Sequence, residues 1–491
     1  MRSRWALPAL LVLAACSGGG GNKKPTVPVL AWGSFRHNST NSATGNGISS
    51  NKGEVKLIYP TAGDATISTP AIDNNSHIFL GTSSGMVSLD DGGVVRWIAD
   101  SCQLSTGEIV PFGPIQSSPT VTAGRDIVFG TDATATSPGM VFYLHERSSS
   151  VVECRWAFTP GVQSVRSSAQ VQVDPRDLSL LSVFIGTGDG ALQAINGIGT
   201  PRWTFAPSAQ RQAITSSPAV DPTGPFYITT PDGVLAAADA SGRPLWQFPI
   251  GTPPDATLQS SPGVGASIYA IGADSTLFII NPGGSPKRPF SPQATVLGSP
   301  AFTSQSVDVG SELLLETIIY LADVNGLLYG VRDTNGELWQ IQYCDMPDPN
   351  AQALETCRTD SCAPDMGTCV NNKCTEAVHN MSCTPDTCIS SHHGQCVSKP
   401  AMVSASSGDP IRVETSPILS GDLFVVVGTT DGRVCARNVD GSVPGNDKDQ
   451  TNPWIDGCIE LGDGLPVRSS PAIGPSGLIV VTTDSGLYTI K

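Results

Sequence analysis

The chain has 491 residues, a net charge of −15 and only 14% charged residues, with 52 glycines and 39 prolines. That acidic balance excludes a nucleic-acid surface, which needs clustered basic side chains. A neutral, turn-rich composition with 39% hydrophobic residues also excludes disorder, which needs high net charge and few apolar groups.

At the N-terminus, Arg2 and Arg4 precede a short apolar run over residues 5–15. It is too short to span a bilayer and reads as a signal peptide covering residues 1–15. Its end, Leu13-Ala14-Ala15-Cys16, resembles the lipobox of bacterial lipoproteins. The resemblance implies that Cys16 carries the lipid and becomes the first residue of the mature protein, anchored by several acyl chains. An ordinary secretory peptide with a chance cysteine is the alternative. Ser17 rather than Asp follows, which in Gram-negative lipoproteins resembles outer-membrane sorting. Residues 16–30, with glycine at 18–21, form a flexible tether. No later stretch has eighteen consecutive apolar residues.

Residues 31–38, Ala-Trp-Gly-Ser-Phe-Arg-His-Asn, come before any repeat, and residues 53–59 read as a strand without a repeat of its own. Then a unit of roughly 45 residues recurs, a period proper to propeller blades. It opens on a hydroxyl-rich motif: Ser68-Thr69-Pro70, Ser117-Ser118-Pro119, Ser167-Ser168-Ala169, Ser216-Ser217-Pro218, Ser260-Ser261-Pro262, Gly298-Ser299-Pro300, Thr415-Ser416-Pro417 and Ser469-Ser470-Pro471. A two-residue hairpin follows, as in Ser84-Gly85, Asp232-Gly233 and Ser485-Gly486, then an Asx-x-x-Gly turn, as in Asp239 to Gly242. The last strand carries a Trp, at 97, 156, 203, 246, 339 and 454. The second copy lacks the Asx-x-x-Gly turn, and the fifth has Phe290 where a Trp is expected. A single four-stranded meander cannot bury both faces, so the copies must pack on one another.

The expected fold is all-β: an eight-bladed propeller of four-stranded antiparallel blades, with blades 1–6 in residues 31–343 and blades 7–8 in 412–491. The eighth copy ends at Lys491 without an outer strand. Residues 53–59 are expected to supply it, which removes an open sheet edge. The repeats, with the Trp-x-x-Phe-Arg opening at residues 32–36, resemble the propeller family built from pyrroloquinoline-quinone (PQQ)-type repeats.

Residues 344–411 are unlike the rest. Cys344, Cys357, Cys362, Cys369, Cys374, Cys383, Cys388 and Cys396 lie among few apolar residues, so four disulfides are expected to replace a core. Eight cysteines allow 105 pairings, and connectivity stays open. A metal site using His379, His392 and His393 is the alternative, without the C-x2-C spacing of zinc knuckles. The insert is expected to rise as a knob from the face of the first hairpins. Of the other cysteines, Cys435 and Cys458 fall within one blade, and Cys102 with Cys154 balances the count. The latter two are expected toward opposite ends of neighbouring outer strands.

No catalytic, cofactor-binding or metal-binding residue stands out. The Trps read as packing between blades, and the repeated Asp-Gly residues as turn formers. An oxygen-rich loop with Asp440, Asn446, Asp447 and Asp449 matches no EF-hand. The repeat family includes quinoprotein dehydrogenases, which need PQQ, a Ca²⁺ site of carboxylate and amide oxygens, an Asp base and a Trp floor. Such enzymes often join adjacent cysteines, and no Cys-Cys pair occurs here. Repeat type, lipobox and blade number also resemble the propeller lipoproteins of the outer-membrane β-barrel assembly machinery. The expectation is a non-catalytic scaffold, alone or as a subunit of a complex, lipid-anchored at the outer membrane and binding an envelope protein. A PQQ/Ca²⁺ oxidoreductase and a glycan-binding or adhesion module are the alternatives.

Overall fold

The computed structural model describes residues 32–45, 53–61, 68–161, 163–174, 177–251, 260–292, 294–309, 312–333, 340–342, 368–370, 373–375, 380–382, 412–421, 424–438, 457–475 and 477–491. Among them there is no helix. Blade 4 shows the unit: Ala219–Val220, Phe226–Thr229, Val234–Ala238 and Pro244–Pro249 pair in chain order as an antiparallel meander. Phe226–Thr229 is buried at every position, while Pro244–Pro249 alternates exposed and half-buried. The sequence follows this placement. Strands wedged between neighbouring blades read as unbroken apolar runs, whereas those at the rim alternate.

Seven other sheets repeat the pattern. Blade 5 has three strands, and its rim is reduced to bridges from Leu277 to Phe290 and from Ile280 to Pro286. The bridge places Phe290 opposite Leu277 as Phe248 stands opposite Leu235, so Phe290 holds the position two residues past the Trp of other blades rather than the expected Trp position, and it is buried. Blade 8 is closed as expected. Val55–Pro60 pairs antiparallel with Gly486–Ile490, and Glu54 and Lys491 exchange backbone hydrogen bonds of 2.8 and 3.0 Å.

In blades 1–4 the rim Trp joins its blade to the next. The indole N–H of Trp156, Trp203 and Trp246 donates to the carbonyl of Gly197, Ala240 and Pro282, within the Asx-x-x-Gly turn of the following blade. The turn's glycine is doubly required. Gly242 has φ +79°, and a Cβ on it would lie 2.6 Å from the Trp203 ring. Blade 2 lacks the turn, so Trp97 donates instead to Glu146 Oε1 at 2.7 Å, a carboxylate also paired with Arg96. In the closing strand Ile58 takes the Trp's place against Gly93 of blade 1, where a Cβ would come within 2.7 Å of it. Trp339 and Trp454 lie outside the described residues.

Two local expectations are corrected. In blades 1 and 8 the hairpin glycine is not in the turn: Gly85 and Gly486 begin the third strand, because the backbone of the rim strand approaches to 2.3 Å of where a Cβ would stand. Cys102 does not lie on a blade's outer strand. It sits in a separate hairpin, Ser101–Gln103 with Ile109–Pro111, laid against the Val151–Phe158 strand of blade 2, where it is bonded to Cys154. The detour after blade 1 brings the two cysteines together. Cys435 and Cys458 are cross-strand neighbours in blade 7 and form a disulfide. In the insert, Thr368–Val370, Lys373–Thr375 and Asn380–Ser382 form a small sheet with Cys369 opposite Cys374. The remaining expectations for residues 344–411 lie outside the described residues.

Ile58→Ala removes the side chain that docks the last blade on the first. We expect a loss of about 2–4 kcal/mol in urea unfolding, the usual range for emptying such a site. A loss of a few tenths would mean that this contact does not hold the ring shut.

Candidate functional site

The repeated Ser-Ser-Pro motif lines the propeller axis, and its two hydroxyls have different tasks. The first ties down its own blade: Ser117 Oγ donates to the Gly130 carbonyl at 3.0 Å and accepts from the Gly130 amide at 2.7 Å. The second links blades. Ser118, Ser168, Ser217, Ser261, Ser299, Ser416 and Ser470 each accept, on Oγ, the backbone N–H of the equivalent residue one blade earlier, at 2.8–3.1 Å. Seven such bonds run round the axis from Thr69 to Ser470. No acceptor for these seven hydroxyl hydrogens occurs among the described residues.

The motif leaves main-chain carbonyls pointing at the axis. Buried carbonyls need donors, and residues 32–45 bring them. Arg36, 1% exposed, donates through one amino group to the Pro417 carbonyl at 2.8 Å and through the other to Ser299, at 3.1 Å, and Pro300. Desolvation lowers its pKa to about 9, which still leaves it charged at neutral pH. Asn41, equally buried, donates to the carbonyls of Ser217, Pro218 and Pro262 and accepts from the Gln170 amide at 2.8 Å. Backbone pairing completes the seal. The carbonyls of Trp32, Gly33, Ser39, Thr40, Ser42 and Ala43 take the amides of Ile72, Val121, Val220, Val264, Phe302 and Leu419. One segment thereby touches blades 1, 2, 4, 5, 6 and 7 through its main chain and blade 3 through Asn41. To follow this path Arg36, His37, Asn41 and Ala43 take positive φ of 54–74°.

Above this stopper lies a funnel of about 730 Å³. Its floor includes Phe35, which is half-buried although Ser34, Arg36 and His37 on either side are buried. Its walls include Gln116, Gln212, Thr215, Pro231, Leu297 and most of the serine ring. Arg166 also faces it, held in a two-pronged ion pair with Asp132 at 2.7 and 2.9 Å. That pairing raises the Arg166 pKa. The described lining residues include no carboxylate and no Trp. They do not fit Ca²⁺, which takes carboxylate and carbonyl oxygens, or the Trp floor a quinone would rest on.

Among the described residues no group of three or more His, Cys, Asp and Glu could hold a metal. Cys16, His379, His392, His393, Asp440, Asn446, Asp447 and Asp449 lie outside the described residues. In the sequence Trp32, Phe35 and Arg36 stand together in a motif that assigns none of them a role, and Asn41 belongs to no motif. A physical signal was present: eight Ser-Ser-Pro-like openings demand inward donors, and residues 36–44 are rich in Asn, Ser and Thr beside one Arg.

Arg36→Met removes the donors and leaves three buried carbonyls unpaired. We expect a loss of about 3 kcal/mol or more in urea unfolding of the full chain, since each orphaned group costs about 1–3 kcal/mol. A loss under about 1 kcal/mol would show that the stopper is not what holds the inner ring.

No family model matches the sequence, and no curated protein matches it. Solved structures do. BamB from Moraxella catarrhalis is 14% identical with a TM-score of 0.51, over 89% of this chain and 97% of that one. The C-terminal WD40 domain of Sif2 is 11% identical with a TM-score of 0.51, over 89% and 97%. Sqt1 of Saccharomyces cerevisiae is 9% identical with a TM-score of 0.51, over 90% and 99%. At such identities the likeness concerns architecture, and the chain is an eight-bladed β-propeller.

Proposed function

We propose that this protein is a non-catalytic scaffold of the bacterial envelope, anchored through a lipid on Cys16 and holding a protein partner. The observation that carries the reading is the stoppered axis. Residues 32–45 spend the charged and amide groups at the centre of the ring on structural carbonyls, and the funnel above has no carboxylate among its described lining to act as base or ligand. A second feature supports partner binding. Leu57, Val95 and Ile98 on the rim strands of blades 8 and 1, with Val94 just before the latter, are 41–65% exposed, and the two strands meet at Ile58 and Gly93. Repeat type, lipobox and blade number favour outer-membrane protein assembly as the process served.

Two measurements test this. Crosslinking in native membranes should capture a defined envelope protein, and Cys16→Ala should release the scaffold from the membrane fraction. Retention of Cys16→Ala in the membrane would refute the lipid anchor. Purified protein mixed with PQQ and Ca²⁺ should emerge from gel filtration without quinone absorbance. A quinone band that stays with the protein would replace the scaffold with an oxidoreductase.

A further inference from the structure

We infer that the axial funnel is a carbohydrate site that takes the end of a neutral oligosaccharide, with one sugar ring resting on Phe35. Phe35 is the one aromatic side chain among the described lining, set on the floor by a segment whose next two residues, Arg36 and His37, hold left-handed backbone. Phe35 stays half-buried at the cavity while Ser34 and Arg36 on either side are buried. Around that ring stand the serine hydroxyls, each with its hydrogen uncommitted, and the amides of Gln116 and Gln212.

Charge narrows the choice. Arg166 is neutralised by Asp132, Arg36 lies under the floor with its amino groups spent on carbonyls, and no described lining residue is acidic. Neither an anion nor a cation is therefore called for. A wholly apolar ligand would strip water from the hydroxyls and amides and give nothing back. A pyranose satisfies both demands, with hydroxyls that donate and accept around its edge and an apolar C–H face for the aromatic floor. About 730 Å³ lies within the range of small-ligand sites. Because residues 32–45 close the bottom, a glycan enters end-on and cannot thread through.

The test uses detergent-solubilised full-length protein, titrated calorimetrically with cello-, malto- and chito-oligosaccharides and separately with sulfate and phosphate. At least one neutral oligosaccharide should bind at micromolar to millimolar concentration. Phe35→Ala should weaken it about tenfold, the worth of one aromatic stacking contact. Gln212→Ala, on an exposed wall residue, should weaken it too, and serves if Phe35→Ala proves unstable. Absence of heat from every sugar overturns the inference, as does binding of phosphate or sulfate alone, or sugar binding indifferent to both substitutions. Envelope crosslinks should be unchanged in Phe35→Ala, which separates this outcome from that of the scaffold reading.

Discussion

The structure depends on satisfying inward carbonyls at the centre of a closed ring. In several blades the inner strand has only two paired residues, and the Ser-Ser-Pro turn before it points main-chain oxygens at the axis, where no neighbouring strand can reach them. Side-chain donors must come from elsewhere in the chain. Arg36 and Asn41 supply them across sequence separations of 176 to 381 residues. The cost is real: four non-glycine residues in left-handed backbone, each unfavourable by about 1–2 kcal/mol. The offset is a set of charge-assisted and buried hydrogen bonds that no other described segment provides. Blades far apart in sequence thus share one fastener, and the ring does not rest on neighbour contacts alone.

Much of this fold was legible because a propeller writes its geometry periodically. Ser217, Gly242 and Trp246 answer to the same constraints as Ser168, Gly199 and Trp203, so agreement among copies reveals the sheet, its turns and its order. The missing rim strand of blade 8 was legible too, as an absence that residues 53–59 could fill. What escaped is whatever occurs once. Cys102 was misplaced because the hairpin that carries it belongs to no repeat. Gly85 and Gly486 looked like turn residues, yet their reason is the approach of a rim strand. Asn41 was passed over because its partners lie in distant blades and no local pattern announces them.

Departures from the repeat are informative because each is compensated nearby. Blade 2 lacks the turn that receives an indole, and Glu146 stands in as acceptor for Trp97, its charge balanced by Arg96. In blade 6 Asp323 occupies the hairpin position held by Thr in most blades, and burial raises its pKa. Tyr329 and the amides of Asn325 and Leu327 satisfy its oxygens. Both substitutions keep the buried carboxylate itself partnered while changing the chemistry of the position, as packed repeats require. The first concerns the fit between blades 1 and 2, the second the hairpin within blade 6.

The ring's two ends differ for the same reason. Where the inner strands pair with residues 32–45, the axis is filled by a segment that cannot be withdrawn without exposing the carbonyls it satisfies. At the other end the serine hydroxyls each accept one bond from the ring, and Gln116 and Gln212 line the wall, the Gln212 amide donating to Gln210 Oε1 at 3.2 Å. A rigid scaffold with one sealed and one receptive end suits recognition, since the groups facing a ligand are positioned before it arrives and lose little freedom on binding. That the receptive end is walled by loops joining successive blades fits the general placement of binding residues on connections held by a stiff framework. The same constraint that closes the ring therefore also shapes the surface it can offer.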